Sequence, residues 1–216
     1  MKVNYQELFP YEFKERLNAN PLAFLPLGSL EYHGYHNVLG LDTLKAQKLC
    51  ELSAQRAGGI VFPPLYLGYD AWPDIDPIKY PNKQYDCYHI NKEVYVELLR
   101  QYFFRMKRIG FEKIFVLAGH YPNVDLAKET SQDIADIRFY IYKEPDLVED
   151  QTGDHAGKWE TSLLTYLIPE YVNLALMKDK SDRLFAVEGE DPNESSFEFG
   201  KSMSENIVNK IVTLVN

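Results

Sequence analysis

Short apolar segments alternate with longer amphipathic segments along this 216-residue chain. The apolar segments are residues 23–27, 60–62, 113–118 and 138–142. The segments between them have helical periodicity, and the clearest one follows Asn91. Short strands that are apolar on both faces are typical of a mostly parallel sheet buried between helices. The sequence therefore predicts an α/β protein, a three-layer α/β/α sandwich in which residues 1–216 form a single domain.

Polar side chains follow two of the predicted strands. Glu31 and His33 come shortly after the first strand, and His120 comes two residues after strand 113–118. The carboxyl ends of parallel strands meet at one edge of a sheet, where binding sites of such folds lie. Glu31 and His33 are two residues apart, so on an extended backbone their side chains leave the same face. We therefore expect these three side chains to meet.

The segment from Glu31 to Asp42 also contains His33 and His36, so it carries two carboxylates and two imidazoles. Oxygen and nitrogen ligands at this density are what a divalent cation requires. Two ordinary explanations stand beside this one. Paired histidines near a glycine occur in many loops, and Asp42 precedes a helical segment, where aspartate is a favoured N-cap. The position of His120 at the same sheet edge favours the metal site.

A third polar cluster runs from Asp154 and His155 to Glu160, which is expected to open a helix. A glutamate in a first helical turn often only interacts with the helix dipole. The presence of His155 five residues upstream of Glu160 is harder to explain by helix formation alone and favours a functional role for this cluster. Asn123 is interpreted as a helix N-cap, and His89 as a structural or surface residue without a partner.

The segment from 65 to 89 is rich in Pro, Asp and Tyr and has no period, which predicts a lid or a binding loop. Trp72 within it is either a lid contact or an ordinary packing residue. Cys50 falls within a helical pattern and is interpreted as a core residue.

Several classes of function are disfavoured by composition and by missing motifs. The net charge of −9 and the absence of basic runs argue against nucleic acid. No apolar window reaches the ~18–20 residues of a membrane span. A polar amino terminus and two isolated cysteines, Cys50 and Cys87, favour a reducing cytoplasm. The HExxH, phosphate-loop and Gly-x-Ser-x-Gly motifs are missing.

Taken together, the three polar clusters resemble the creatininase family of metal-dependent amidohydrolases. The matching segments are residues 27–36 with Asp42, residues 119–123, and residues 154–162. They occur in the order of the family and near its spacing, and they span roughly residues 22 to 172. One such motif is weak evidence, whereas three in order are specific.

The resemblance implies an α/β/α sandwich with two divalent metal ions, zinc, manganese or iron, bridged by a carboxylate. One ion would be held by Glu31, Asp42 and His120, and the other by His33, Asp42 and Glu160. His155 would be the general acid and base, with Glu160 also serving catalysis. Residues implied for contact with substrate or support of the site are His36, Tyr121, Asn123 and Trp72. The family also implies a cytoplasmic homo-oligomer, often a hexamer, that acts on a small molecule.

Two departures from the family pattern bear on the substrate. Enzymes that act on creatinine carry a glutamate ligand two residues after the histidine of the second motif, where this chain has Pro122; Glu160 would replace it. Residues 80–83 differ from the usual Pro-Gly-Thr segment. We therefore expect hydrolysis of a small, non-creatinine amide. The alternatives are cleavage of a carbon–carbon bond in a cyclic ketone or inositol-derived substrate, and a non-catalytic metal-binding homologue.

Overall fold

A computed structural model describes residues 2–69, 88–149, 151–177 and 185–216 of the chain. Trp72, Cys87 and residues 80–83, about which the sequence made predictions, lie outside these ranges.

In the described part of the chain, four parallel strands form the central sheet. Their order across the sheet is Ile60–Val61 (β2), Leu22–Leu27 (β1), Lys113–Ala118 (β5) and Arg138–Lys143 (β6). The strands of the described chain are β1 (Leu22–Leu27), β2 (Ile60–Val61), β3 (Gly68–Tyr69), β4 (His89–Ile90), β5 (Lys113–Ala118) and β6 (Arg138–Lys143). The register pairs Leu22 with Lys113 and Leu27 with Ala118, so β1 and β5 end side by side. The segments that follow these two strands therefore start from adjacent points at one edge of the sheet.

The longer helices begin and end close to where the amphipathic pattern predicts. They are α1 (Pro10–Ala19), α2 (Leu41–Ala57), α3 (Lys92–Ile109), α4 (Asn123–Ser131), α5 (Lys158–Leu167) and α6 (Phe197–Val215). Asn91 caps α3, because its Oδ1 accepts the N–H of Val94 at 3.1 Å. Gly110 ends the same helix with a φ of 116°. The pattern does not predict α1, and this helix has no buried residue to create an apolar stripe.

Two hydrophobic cores lie on opposite faces of the sheet. Alternate residues of each strand point to opposite faces, so Leu25 packs with one core and Phe24 with the other. Helices α3 and α4 cover the first core, and α2, α5 and α6 cover the second. The predicted α/β/α layering is confirmed. Cys50 is fully buried in the second core, as expected for a core residue.

Residues 65 to 89 are predicted as a loop, but both described ends of this segment contain a short strand. Strands β3 and β4 form a two-stranded parallel ladder that pairs Gly68 with His89. A strand of two residues is too short to show an alternation of apolar and polar side chains, so the sequence pattern did not predict these strands. No helix in the described part of the chain is long and apolar enough to cross a membrane.

Candidate metal centre

Close backbone contact between β5 and α2 places the site at the carboxyl edge of the sheet. A Cβ on Gly119 would lie 2.0 Å from the carbonyl oxygen of Asp42, so only glycine fits at this position. His120 therefore leaves the sheet directly beside the first turn of α2. The prediction that Glu31, His33 and His120 meet is supported by this arrangement, because all three side chains contact Asp42 or one another.

Asp42 lies at the middle of the cluster and is 2% exposed. Its Oδ1 is 3.1 Å from Nε2 of His33, and its Oδ2 is 3.3 Å from Nδ1 of His120. The hydroxyl of Ser29 donates to Oδ2 at 2.9 Å. The N-cap interpretation of Asp42 is wrong, because Gly40 occupies the cap position and the Asp42 side chain turns to the site.

Glu31 and His120 form one side of the cluster. The Nδ1 of His120 is 2.8 Å from Oε1 of Glu31. The Nε2–H of His120 donates to the carbonyl oxygen of Tyr69 at 3.2 Å. A carbonyl only accepts, so Nε2 keeps its proton when the ring is neutral, and Nδ1, which faces the carboxylates, is then the nitrogen available to a metal ion. Outer partners of this kind orient metal-binding histidines.

His33 forms the other side and is oriented in the same way. Its Nδ1–H donates to the carbonyl oxygen of Glu31 at 3.2 Å. Its Nε2 then faces Oδ1 of Asp42 at 3.1 Å and Oε2 of Glu160 at 3.7 Å. The carboxylates are thus faced by Nε2 of His33 and by Nδ1 of His120.

Glu160 lies in the first turn of α5, where the backbone holds it firmly. Its Oε2 accepts the N–H of Ala156 at 2.8 Å, and its Oε1 contacts the ammonium group of Lys45. Asp154 accepts the N–H groups of Trp159 at 2.7 Å and of Glu160 at 3.1 Å. The role of Asp154 is therefore to cap α5 and so to fix the position of Glu160.

Lys45 and Glu144 are components of the site that sequence reasoning missed. Both are fully buried, and Nζ of Lys45 lies 3.7 Å from Oε1 of Glu144. Burial lowers the pKa of Lys45, but Glu144 and Glu160 outweigh it and raise that pKa well above its usual value. Both residues left a signal: Lys45 is one helical turn after Asp42, and Glu144 directly follows strand β6 at the same sheet edge.

His155 lies against His33, with ring centroids 4.4 Å apart. Its Nε2–H donates to the carbonyl oxygen of Tyr32 at 2.9 Å, which leaves Nδ1 of the neutral ring as the acceptor. One ring nitrogen of His155 is within 4.8 Å of ligand atoms of Glu31 and His33. Burial lowers the pKa of His155, and the nearby His33 lowers it further.

His36 supports the loop before α5 from beneath. Its Nε2 lies 3.1 Å from the carbonyl oxygen of Ala156 and 3.0 Å from Oγ1 of Thr161. Burial lowers the pKa of His36 to about 4. The Nε2 of His36 lies beside the Ala156 carbonyl, next to the N–H that binds Glu160, and also 3.0 Å from the side-chain amide nitrogen of Asn37.

Asn123 and Tyr121 occupy positions beside the cluster. Asn123 is the first residue of α4 and follows the cap position, Pro122, so the N-cap prediction is wrong. Its amide instead donates to the carbonyl oxygen of Gly28 and accepts the N–H of Tyr69, each at 3.1 Å. The ring of Tyr121 lies 5.1 Å from Nζ of Lys45.

His89 also lies at the site, and its interpretation as a residue without a partner is wrong. Its Nε2 is 3.6 Å from Oε2 of Glu31, and its ring centroid is 5.0 Å from that of His120. No sequence signal indicated this contact, since it depends on the short ladder that places His89 opposite Gly68.

The donor set of the cluster suits divalent cations. Among the described residues, three groups of side chains bring possible ligand atoms within 4.8 Å of one another. They are Glu31, His89 and His120; Glu31, His33 and His155; and His33, Asp42 and Glu160. Carboxylate oxygens and imidazole nitrogens are the ligands that zinc, manganese and iron(II) accept in proteins.

The electrostatics of the cluster lead to the same conclusion. Burial lowers the pKa of His33, but the carboxylates of Asp42, Glu160 and Glu31 overcome it and raise that pKa to about 9. Burial likewise opposes the carboxylates around His120, which raise its pKa to about 10. Buried carboxylates that raise the pKa of neighbouring histidines this strongly create a negative electrostatic potential. A bound metal cation would be stabilised by that potential.

Comparison with known proteins agrees with this geometry. A profile of the family named Creatininase, described as creatinine amidohydrolase, matches residues 6–215. The chain belongs to the creatininase family. This confirms the resemblance seen in the three sequence motifs, and it makes the chain a hydrolase-family member with candidate metal-binding residues.

Two relatives share the same percentage of sequence identity with this creatininase-family chain. The creatinine amidohydrolase of Pseudomonas putida is 25% identical over 203 residues, which are 83% of this chain and 77% of that protein. The 3-dehydro-scyllo-inosose hydrolase of Thermotoga maritima is 25% identical over 204 residues, which are 87% of this chain and 63% of that protein. The chain thus corresponds to less than two thirds of the second relative.

Solved structures share the fold at lower identity. A crystal structure of creatinine amidohydrolase has a TM-score of 0.83 and 22% identity, covering 99% of this chain and 96% of that chain. A mutant creatininase described as of Zn–Zn type has a TM-score of 0.84 and 21% identity, covering 100% and 98%. Members of the family are therefore known with metal ions.

Proposed function

We propose that the chain is a metal-dependent hydrolase that uses two divalent cations to cleave a carbon–nitrogen bond of a small amide other than creatinine. The observation that carries the proposal is that the two oxygens of the Asp42 carboxylate face different histidines. One of its oxygens faces His33, and the other faces His120, at 3.1 and 3.3 Å. A carboxylate placed in this way is suited to bridge two ions.

The remaining ligands divide between the two sides of Asp42. Glu31 and His120 would complete one site, and His33 and Glu160 the other. Divalent cations bound there would supply an activated water and polarise the substrate carbonyl. Zinc, manganese and iron(II) all suit these ligands.

The surrounding residues would hold the site and move protons. Lys45 and the Ala156 N–H fix Glu160 through its two oxygens. His155 would take a proton from the attacking water on the ring nitrogen that the Tyr32 carbonyl leaves available, and would then pass that proton to the leaving nitrogen. The ring of His33, 4.4 Å away, holds His155 beside the ligands.

The amide substrate is proposed to differ from creatinine because of Pro122. The family resemblance places a glutamate ligand there in enzymes that act on creatinine. In this chain Pro122 caps α4, and Glu160 reaches the same group of ligands from α5 instead. The pocket for the substrate is thus built differently on the side of α4.

A second candidate is cleavage of a carbon–carbon bond in a cyclic ketone or inositol-derived substrate. The observation that favours it is the equal identity of the inosose hydrolase and the creatinine amidohydrolase to this chain. Activated water attacks a ketone as readily as an amide carbonyl, so the ligands do not separate the two reactions.

Metal analysis followed by product identification tests the proposal. Protein purified without added metal or chelator should contain about two transition-metal ions per chain by mass spectrometry. A panel of lactams, hydantoins and formamides is then incubated with the enzyme and with the Asp42→Asn variant. Formation of the hydrolysed product, which is a ring-opened acid from a lactam or hydantoin or an amine with formate from a formamide, by the first protein alone supports the amidohydrolase.

Other outcomes decide against it. Conversion of 3-dehydro-scyllo-inosose to a ring-opened acid, with no amide cleaved, would establish the second candidate. A protein that neither contains nor takes up zinc, manganese or iron would refute both, and a non-catalytic role would then remain. The expected cytoplasmic homo-oligomer, which the family resemblance implies is often a hexamer, is tested separately by sedimentation and cell fractionation.

A further inference from the structure

His89 lies within the cluster but outside the expected ligand set. It lies in β4, directly opposite Gly68 of β3 in the parallel ladder. Its Nε2 is buried and has no hydrogen-bond partner among the described residues. A buried imidazole nitrogen is rarely left without a partner, since removing a polar atom from water without a replacement hydrogen bond is unfavourable.

The spacing around His89 fits the coordination of one ion. Its Nε2 is 3.6 Å from Oε2 of Glu31. Two ligands of one tetrahedral zinc ion lie about 3.3–3.5 Å apart, given zinc–ligand bonds of about 2.0–2.1 Å. The ligand atoms of all three residues are within 4.8 Å of one another.

Gly68 makes room for this arrangement. A Cβ at position 68 would lie 2.9 Å from Cδ2 of His89 and 2.8 Å from Cβ of Ser29. The His89 ring therefore packs directly onto the backbone of β3, where only glycine admits it. The same contact places Ser29, whose hydroxyl donates to Glu31, against the ladder.

From these contacts we propose that His89 is a fourth protein ligand of the ion held by Glu31, Asp42 and His120, and that it makes this the tighter of the two metal sites. The inference rests on the proposed function in assuming that metal binds. The second site has three protein ligands, His33, Asp42 and Glu160. A site with four protein ligands is closed, whereas three leave a position for water or substrate.

A simple ion pair between His89 and Glu31 explains the geometry less well. An imidazolium and a carboxylate in contact approach to about 2.7–2.9 Å. The observed 3.6 Å exceeds that distance. The spacing is instead that of two groups which share an ion.

The first test measures metal affinity in two steps. Protein stripped by a chelator is titrated with Zn²⁺ in competition with a chromophoric chelator. His89→Leu keeps about the bulk of the ring and should weaken the tighter step by more than about 100-fold, beyond the 10–100-fold typical of outer partners. The matched control is Tyr88→Leu, which alters an exposed side chain of the neighbouring residue and should leave both steps unchanged.

The second test asks for direct evidence of coordination. In a Cys87→Ser background, His89→Cys places a thiol where the imidazole stood. One equivalent of Co²⁺ should then give a near-ultraviolet thiolate-to-cobalt absorption band that the Cys87→Ser parent lacks. This readout also serves if His89→Leu fails to fold, because a purely structural role of position 89 would produce no such band.

The outcomes separate this inference from the proposed function. Wild-type protein that binds no metal refutes the proposed function, and the inference with it. Two bound ions in wild-type protein, with an unchanged tighter step in His89→Leu, overturn the inference alone. Failure of the cobalt band to appear in a folded His89→Cys protein that still binds Co²⁺ also overturns it.

Discussion

The ammonium group of Lys45 lies 3.7 Å from Oε1 of Glu144, and both side chains are fully buried. The same ammonium contacts Glu160, so one cation is shared between a proposed metal ligand and a carboxylate beyond the metal centre. Neither oxygen of Glu144 has a hydrogen bond within the described part of the chain. Lys45 is thus the group that allows Glu144 to be buried beside the site.

Removal of Lys45 should therefore destabilise the fold. Lys45→Met leaves two buried carboxylates without their cation, and breaking a buried pair in this way costs about 3–5 kcal/mol. We expect a decrease of this size in the free energy of unfolding, measured by urea denaturation in the presence of a chelator. Adding Glu144→Gln to the variant should restore part of the loss.

The control for this prediction is Lys48→Met on the same helix. Lys48 pairs with Glu51 at 2.9 Å, but its side chain is 45% exposed. Exposed pairs contribute at most about 1 kcal/mol. An equal effect of both substitutions would show that the burial of Lys45 has no energetic consequence.

Ser29 should affect metal binding without being a ligand. Its hydroxyl is 2.9 Å from Oε1 of Glu31 and 2.9 Å from Oδ2 of Asp42, so it orients both carboxylates. Loss of such an outer partner typically lowers metal affinity by about 10–100-fold. Ser29→Ala should show this decrease in a chelator-competition titration.

A buried serine away from the site provides the comparison. Ser53 is fully buried in α2 and donates to the carbonyl oxygen of Leu49 at 2.7 Å. Ser53→Ala removes the same atoms but should leave metal affinity unchanged. A similar decrease in both variants would assign the effect to general loosening of α2.

The sequence predicted the sheet edge of this protein better than its side-chain network. Strand 113–118 is found at the predicted residues, because a continuous apolar segment of this length determines its own structure. The two parts of the site that follow β1 and β5 could be placed together from strand order alone. Expected ligands Glu31 and His120 were found by that argument.

Residues that reach the site through tertiary contacts were harder to predict. His89 depends on a ladder of two residues per strand, which leaves no pattern in the sequence. Asp42 was open to an N-cap interpretation, since cap and ligand positions both lie in the first helical turn. Lys45 resembles an ordinary surface lysine until helix α2 is packed against the sheet, where Glu160 and Glu144 offset its burial.

Asp42 should be required for both metal ions. Asp42→Asn keeps the size of the side chain but removes the charge shared by the two proposed sites. We expect less than one ion per chain after gel filtration, measured by mass spectrometry, against about two in wild type. Asp125→Asn, an exposed residue of α4, is the control. Full metal content in Asp42→Asn would exclude the bridging assignment.

His155 should affect turnover and leave the metal ions in place. Its ring contacts His33 and binds the Tyr32 carbonyl, but the proposed ligand sets do not include it. General acid–base groups contribute about 10²–10⁴-fold to rate, so His155→Asn should lower kcat by that factor.

The separation of rate from metal content makes this prediction specific to His155. Metal content and kcat are to be measured on the same preparation of His155→Asn, with the substrate identified by the product screen. A parallel loss of metal and rate would instead make His155 a ligand, as its place near Glu31 and His33 permits. An unchanged kcat with full metal content would remove His155 from the reaction, and proton delivery would then have to come from solvent or from another group at the site.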